Sequence, residues 1–345
     1  TIPETGWFPP HTSSFDWRLF HKPGQIGPPL SLYQAAFRQD WTRVEQLIRA
    51  GHSPLHYRRK SPLTLAVSAG NVEIARLLLS HGARARSTEL AQARTLPLVE
   101  LLLQAGAIPD QMSVRSVLSK GNEAGFLRLN PLVQLELEEV FISACRGGVI
   151  SVLDSCYRQR PTIVSHREFG RSAISYAAEG GHQLAVDWLF SRGAVWDGAS
   201  LHHLAAKGHH QLLRRALESG LAPHEPHYGR LALAGAAAGN QVQSMSILLE
   251  FGAEVNQADE FGDTALHSAA RSQSLAAIDW LLERGAQLEQ RDQSGYTALW
   301  VAVGTGDQAL VDHLLQAGAN PKTMNNYQTP LSVLAEQRDI ILPGI

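Results

Sequence analysis

A unit of about 33 residues recurs along this chain, and that period limits the folds open to it more than any other feature. From Phe261 the sequence reads FGDTALHSAARSQSLAAIDWLLERGAQLEQRD, and from Tyr296 it reads YTALWVAVGTGDQALVDHLLQAGANP. Both copies hold T-A-L, a turn in mid-unit, then L-L and G-A. Self-similarity at this spacing marks a stack of repeats. One such unit is too short to bury a core alone, so its neighbours must supply the rest.

Taking as anchor an apolar residue ahead of each mid-unit turn gives Leu32, Leu63, Leu90, Val114, Phe141, Ile174, Leu201, Ala232, Leu266, Leu299 and Leu331, at intervals of 31, 27, 24, 27, 33, 27, 31, 34, 33 and 32. Three positions on, most units place a small residue: Ala35, Ala66, Ala93, Ala144, Ala177, Gly235, Ala269 and Ala302. A small side chain there lets neighbouring helices approach closely. Turns are expected at Gly70-Asn71, Gly121-Asn122, Gly148, Gly181-His182, Gly208-His209, Gly239-Asn240 and Gly306-Asp307, with glycine taking the left-handed geometry. The second half of each unit repeats the i, i+3, i+4 stripe of an amphipathic helix, as in Ile74, Leu77, Leu78 or Ile278, Leu281, Leu282 or Val311, Leu314, Leu315. Each stripe ends in Gly-Ala, the glycine serving as C-cap.

These residues resemble the ankyrin repeat family. Its T-P-L-H-x-A signature is matched by Thr264-Ala265-Leu266-His267-Ser268-Ala269. The resemblance runs from about residue 29 to 340, is strongest from Gly229 onward, and is weakest between Arg84 and Tyr157. It implies an all-α solenoid of about eleven stacked helical hairpins with short finger loops. An interval of 24 or 27 leaves no room for a finger, so fingers should be missing before Leu90, Val114, Phe141 and Leu201. They should be present before Leu63, Ile174, Ala232, Leu266, Leu299 and Leu331, with Arg158 to Gly170 as the finger before Ile174. The expected organisation is a non-repeat cap or arm over residues 1–28 and a repeat domain over 29–345, degenerate over 29–157 and better kept over 158–345.

Residues 1–28 carry Trp7, Phe8, Phe15, Trp17 and Phe20 among prolines, which suits a cap over the first repeat or an arm holding a partner. Net charge is −2, yet residues 1–172 sum to +6 and residues 173–345 to −8. Such a field steers partners. The alternative is drift in solvated helix faces. No apolar stretch is long enough to span a membrane. The chain begins without an apolar signal segment, which leaves export open. Cys145 and Cys156 both fall on core positions and read as buried free thiols, which fits a cytoplasmic setting.

The sequence holds no Walker loop, G-x-G-x-x-G, G-x-S-x-G, H-E-x-x-H or C-x-x-C. His202, His203, His209 and His210 cluster in sequence, but His202 and His209 stand at positions that are structural in the family, and no metal site is expected. His224, Glu225 and His227 lie in a proline-rich loop. The run His56-Tyr57-Arg58-Arg59-Lys60 suits an acidic protein surface better than nucleic acid. No cofactor and no catalytic residue are assigned.

By resemblance, the chain should be a monomeric, non-enzymatic module that binds a partner protein through its fingers and inner-helix positions. A specific inhibitor or immunity protein acting on a bacterial toxin or enzyme is the alternative, and an enzyme with a groove-bound cofactor a more distant one. The candidate contacts are Glu260, Phe261, Asp263, Arg271 and Tyr296, with Gln293 and Thr305, at the C-terminal end; Trp196, Lys207, Glu168, Phe169, Arg171 and Glu179 in the middle; and Tyr57, Arg58 and Lys60 near the start, with Arg38 and Arg146 on inner helices. Trp300 replaces the signature histidine and either packs under its finger or faces a partner. Trp188 and Trp280 sit on second helices and read as packing residues.

Overall fold

The computed structural model describes residues 31–54, 61–224 and 231–342. The expected cap over residues 1–28, the basic run around Tyr57, Arg58 and Lys60, and the loop residues Glu225 and His227 lie outside the described residues.

Two compact units are present. The first takes the chain as far as Ile108 and the second from Pro109 onward, with Arg94–Leu96 grouped in the second. The first holds helices α1 (Leu32–Phe37), α2 (Trp41–Arg49), α3 (Pro62–Ser68), α4 (Val72–Ser80), α5 (Ser87–Leu90) and most of α6 (Leu96–Gln104). The second opens with α7 (Gln111–Ser119), α8 (Glu123–Leu129), α9 (Leu137–Gly147) and α10 (Ile150–Gln159). After a short hairpin of strands β1 (Arg167–Glu168) and β2 (Arg171–Ser172) come α11 (Ala173–Glu179), α12 (Gln183–Phe190), α13 (Gly198–Lys207) and α14 (His210–Glu218). The remainder is α15 (Ala232–Ala238), α16 (Val242–Glu250), α17 (Ala265–Arg271), α18 (Leu275–Leu282), α19 (Ala298–Thr305), α20 (Gln308–Gln316) and α21 (Leu331–Gln337). These make ten helix pairs and a final single helix, the eleven units that the spacing predicts.

Within each compact unit the helices pack in series. In the second, the inner helices α7, α9, α11, α13, α15, α17 and α19 each touch the next, and outer helices α14, α16 and α18 do the same. The small position after each anchor explains how. Ala35, Ala66, Ala93, Ala144, Ala177, Ala269 and Ala302 have no exposed surface. At Gly235 even a methyl group would be too large, because a Cβ there would meet the His202 ring at 2.9 Å. The outer stripes are buried as well: Ile74, Leu78, Ile278, Leu281, Val311 and Leu314 are all in the core. Helix starts follow their sequence signals. Ser61 accepts from Thr64 N ahead of Pro62, and Thr264 and Thr297 cap α17 and α19.

The finger pattern follows the intervals. The connections into α5, α7, α9 and α13 carry no strand. The fingers expected before Leu63 and Ala232 fall on residues 55–60 and 225–230, outside the described residues. Two details need correction. The stretch Arg158 to Gly170 is not all finger: α10 runs to Gln159, a 3-10 turn covers Pro161–Ser165, and only the hairpin Arg167–Ser172 projects. At Gly239-Asn240 the left-handed residue is Asn240 (φ 54°), while Gly239, the C-cap of α15, has φ −79°. Gly239 is required for space, since a Cβ there would meet Ala206 O at 2.1 Å.

Where a finger is missing, a buried carboxylate can take over its task. In the intact pattern, His267 reaches from the start of α17 to the next finger, its Nε2–H donating to Tyr296 O at 3.0 Å. Its Nδ1 accepts from Thr264, whose Oγ1 lies 2.8 Å away. At two of the four fingerless junctions the histidine is a hydroxyl residue instead, and an acid from the next unit lies under it. Glu89 accepts from Thr64 Oγ1 at 2.8 Å and Ser61 Oγ at 3.3 Å. Asp197 accepts from Ser172 N at 2.7 Å, from Ser200 Oγ at 3.1 Å, and from Ser175 Oγ. Carboxylates are acceptors only, so they match N-cap hydroxyls and backbone N–H groups.

Candidate partner-binding surface

The three C-terminal fingers are built on one local device repeated every 33 residues. An Asx side chain folds each tip: Asp259 Oδ1 accepts from Phe261 N and Asp263 N, both at 2.9 Å. Asp292 Oδ1 accepts from Ser294 N at 2.8 Å and Tyr296 N at 2.9 Å. Asn325 Oδ1 accepts from Tyr327 N at 2.9 Å and Thr329 N at 3.0 Å. Such side chains mimic a backbone turn and fix it. The tips then join to one another. Gln293 N donates to Phe261 O and Asn326 N to Ser294 O, each at 3.0 Å. Gln293 Nε2 adds a bond to Glu260 O at 2.6 Å, and Asn326 Nδ2 one to Gln293 O at 2.8 Å.

Gly262 and Gly295 show how close this approach is. Both have positive φ, 80° and 81°. A Cβ on Gly295 would lie 2.6 Å from Asn326 N, and one on Gly262 would lie 2.7 Å from Gln293 N. Gln328, the equivalent residue of the last finger, has φ 58°. Gly295→Ala is therefore expected to cost about 2–3 kcal/mol, from left-handed strain and the clash together. Hydrogen exchange should show the loss as faster exchange at Asn326 and Tyr327, while Gln328→Gly leaves the finger unchanged or firmer.

This framework presents a row of side chains in register. The tip position, two residues after each Asx, holds Phe261, Ser294 and Tyr327. Phe261 is 52% exposed and Tyr327 76%. Glu260, Gln293 and Asn326 are also exposed. Phe261 and Glu260 are both exposed at the first tip, and four other candidates have surroundings that the sequence did not show. Tyr296 is only half exposed and stacks on Trp300, with ring centroids 5.1 Å apart. Asp263 is buried and paired to Arg271 at 2.8 Å, so that carboxylate and guanidinium already satisfy each other. Trp196 is half-buried edge-on against Phe190, at 5.2 Å between centroids. Its apolar neighbour accounts for it as packing. Trp300 is buried, and its Nε1–H donates to Thr323 Oγ1 at 2.9 Å, filling the part that His267 plays one unit earlier.

Tyr327 is the exposed fingertip ring that the sequence reading did not single out. Asp259, Asp292 and Asn325 recur at the repeat spacing, and stepping forward from Phe261 by that spacing twice reaches Tyr327. The final finger departs most from the signature, which hid the register.

A fourth finger, the β1–β2 hairpin, stands in the middle of the second unit. Its register pairs Arg167 with Ser172 and Glu168 with Arg171, leaving Phe169-Gly170 as a two-residue loop. Both loop residues have positive φ, 50° and 77°, the type I′ pattern that favours Asn-Gly. A phenylalanine there carries a strain of order 1 kcal/mol, and its ring is 85% exposed. The base of the hairpin is braced. Tyr176 Oη–H donates to Glu168 O at 3.0 Å, and Arg115 binds the Glu168 carboxylate at 2.7 Å. The guanidinium groups of Arg146 and Arg171 lie over the Tyr176 ring at 4.7 and 4.3 Å. Arg171 also pairs with Glu179 at 2.9 Å.

The carboxylates beneath this hairpin respond to their surroundings. Burial alone would push the Asp197 carboxyl up, but hydrogen bonds from Ser175, Ser172 and Ser200 outweigh it and hold the group below its ordinary value. Glu179 follows the same balance, with Arg171 overcoming desolvation. A carboxylate with a lowered folded pKa adds stability above its unfolded value, and that stability is lost as pH falls through the folded value. Asp197→Asn should therefore be less stable than wild type at neutral pH, and the gap should close below about pH 4. Urea midpoints measured across that range check the sign.

The remaining chemistry is structural. His182 and His209 donate Nε2–H to Arg146 O at 3.0 Å and Glu179 O at 3.2 Å, tying each turn to the preceding inner helix. His202 packs on Gly235. Among the described residues no group of three or more His, Cys, Asp or Glu is placed to hold a metal ion. Cys145 and Cys156 are free and buried; desolvation pushes Cys156 up to about 11 and Cys145 well above the ordinary range. Among the described residues no helix is long and apolar enough to cross a membrane.

Comparison with known proteins agrees with this geometry. The family described as "Ankyrin repeat" matches residues 58–88 and 294–327, and "Ankyrin repeats (3 copies)" matches residues 201–292. The chain therefore carries ankyrin repeats of that family over these residues. Repeats of this family are generally protein–protein interaction modules. No curated protein matches the chain.

Proposed function

We propose that this chain is a non-enzymatic module that binds a partner protein through the fingers of its second compact unit. The observation that carries the reading is the pair Phe261 and Tyr327, two aromatic rings left in solvent on fingertips whose backbones are locked. Folding gains little from an exposed ring. Binding gains much, because aromatic anchors dominate interface energetics and a preformed loop has less entropy to lose. Glu260, Gln293 and Asn326 supply the polar rim around them. The inert, buried thiols of Cys145 and Cys156 suit a reducing compartment, the cytoplasm.

Photo-crosslinking tests the surface and captures the partner in one step. A photoreactive phenylalanine at Phe261 or Tyr327 should yield a discrete adduct with a cellular protein. The same group at Leu275, exposed at the start of α18, should not. Adducts from Leu275 alone would place binding on the outer helices and reject the reading.

A further inference from the structure

We propose that the cavity between α8 and α10 binds a small organic amine, with its apolar body between the helices and its ammonium group at the Glu123 carboxylate. The site shares no residue with the finger surface and stands apart from the protein-binding reading. The cavity measures about 410 Å³, and sites for small ligands run from about 300 to 1,000 Å³. It lies where the chain leaves α8 through a 3-10 turn at Asn130–Leu132 and reaches α9 without a finger. Asn130, Gln134 and Leu135 of this connection form part of its wall. Phe126, Val152 and Cys156, all buried, and Leu137 and Val140, half-buried, give it an apolar interior. Ser155 and Gln159 add neutral polar groups.

The charge of the lining sets the sign of the ligand. Glu123, the first residue of α8, is the single ionised side chain among the lining residues, and neither Lys nor Arg contributes. Its Oε1 accepts from Ser151 Oγ at 2.5 Å, which fixes the carboxylate where α8 and α10 both begin. Among the described residues no ion pair includes Glu123, and Oε2 is left to accept from a ligand. Burial pushes the Cys156 thiol up to about 11, so it stays neutral beside the ligand and is no nucleophile. A carboxylate in this cavity would face Glu123 with no cation to offset the repulsion. An ammonium group gains a charge-assisted hydrogen bond there, and an alcohol gains a weaker one.

Ligand-observed NMR titration of the full chain at neutral pH supplies the test. The probes are phenethylamine and tryptamine, set against phenethyl alcohol and tryptophol and against hydrocinnamate and indolepropionate, which keep the ring and chain and change the charge. At least one amine should bind, its alcohol ~5-fold more weakly and its carboxylate more weakly still. Glu123→Gln should lower the amine's affinity to that of the alcohol and leave the alcohol unchanged. Ser155→Trp, at an exposed lining position, should exclude amine and alcohol alike. Both variants should melt close to wild type, which separates binding from folding. Binding by neither amine, equal affinity for amine and carboxylate, or full amine affinity in Glu123→Gln overturns the proposal. So does amine binding that persists in Ser155→Trp. A lysine blocked at both backbone ends that binds more tightly than either amine would assign the site to a lysine of a partner protein, and would overturn the small-molecule reading.

Discussion

Asp197→Ala is expected to destabilise the second compact unit by about 3 kcal/mol. The carboxylate is mostly buried at the start of α13; two of its bonds run backwards to the unit before it, to Ser172 N and Ser175 Oγ, and a third reaches Ser200 Oγ in its own helix. Removing it strands the Ser172 N–H and leaves the buried hydroxyls of Ser175 and Ser200 with only serine partners. Leaving a buried donor unsatisfied costs about 1–3 kcal/mol, more than the bond itself is worth. Alanine also removes the acceptor that stands in for a finger at this junction. Hydrogen exchange should show α11 and α13 losing protection together, since Asp197 couples them. Glu283→Ala, at an exposed side chain, should change stability by less than about 0.5 kcal/mol. Glu89→Ala should repeat the effect in the first compact unit, between α3 and α5. Near-equal stability of Asp197→Ala and wild type would show that the carboxylate does not join the repeats.

Phe261→Ala and Tyr327→Ala should each weaken partner binding by at least ~2 kcal/mol, roughly 30-fold, with the unfolding transition almost unmoved. Both rings are mostly solvated, so truncation leaves the core untouched. The tip geometry survives because Asp259 and Asn325 hold it through backbone N–H groups. Tyr296→Ala makes the contrast. Its ring stacks on buried Trp300, so its loss should lower stability by about 1 kcal/mol or more and affinity less than the tip substitutions do. Calorimetric titration with the crosslinked partner, alongside thermal melts of each variant, separates the two patterns.

The architecture was legible because it is periodic. Anchors, small positions and outer-helix stripes are all set by helix geometry, and the interval between anchors states whether a finger has room. The weakly matching stretch between Arg84 and Tyr157 still folds as helix pairs, because burial of its anchors requires only apolar residues at the right spacing. Side-chain environment was less legible. Asp263 and Arg271 sit at positions that face solvent in the pattern, but they neutralise each other, and no periodicity reports an ion pair. Tyr296 and Trp196 carry rings that look like anchors in sequence and are held by Trp300 and Phe190 in space. Glu89 and Asp197 had a readable signal. Where T-x-x-H becomes S-x-x-T or S-x-x-S, the missing imidazole calls for an acceptor from the next unit, and an acid 25 or 22 residues further on supplies it. Phe169 was visible as a residue, but its strain became visible only when the hairpin register placed it at a turn that prefers asparagine.

Hydrogen–deuterium exchange on the full chain, with and without its crosslink-identified partner, tests the central claim most directly. The account predicts that binding slows exchange at the backbones of residues 259–263, 292–296 and 325–329, and at the hairpin 167–172. The outer helices α12, α14, α16 and α18 should exchange as in the free protein. Protection confined to those outer helices, with the fingers unchanged, would contradict it.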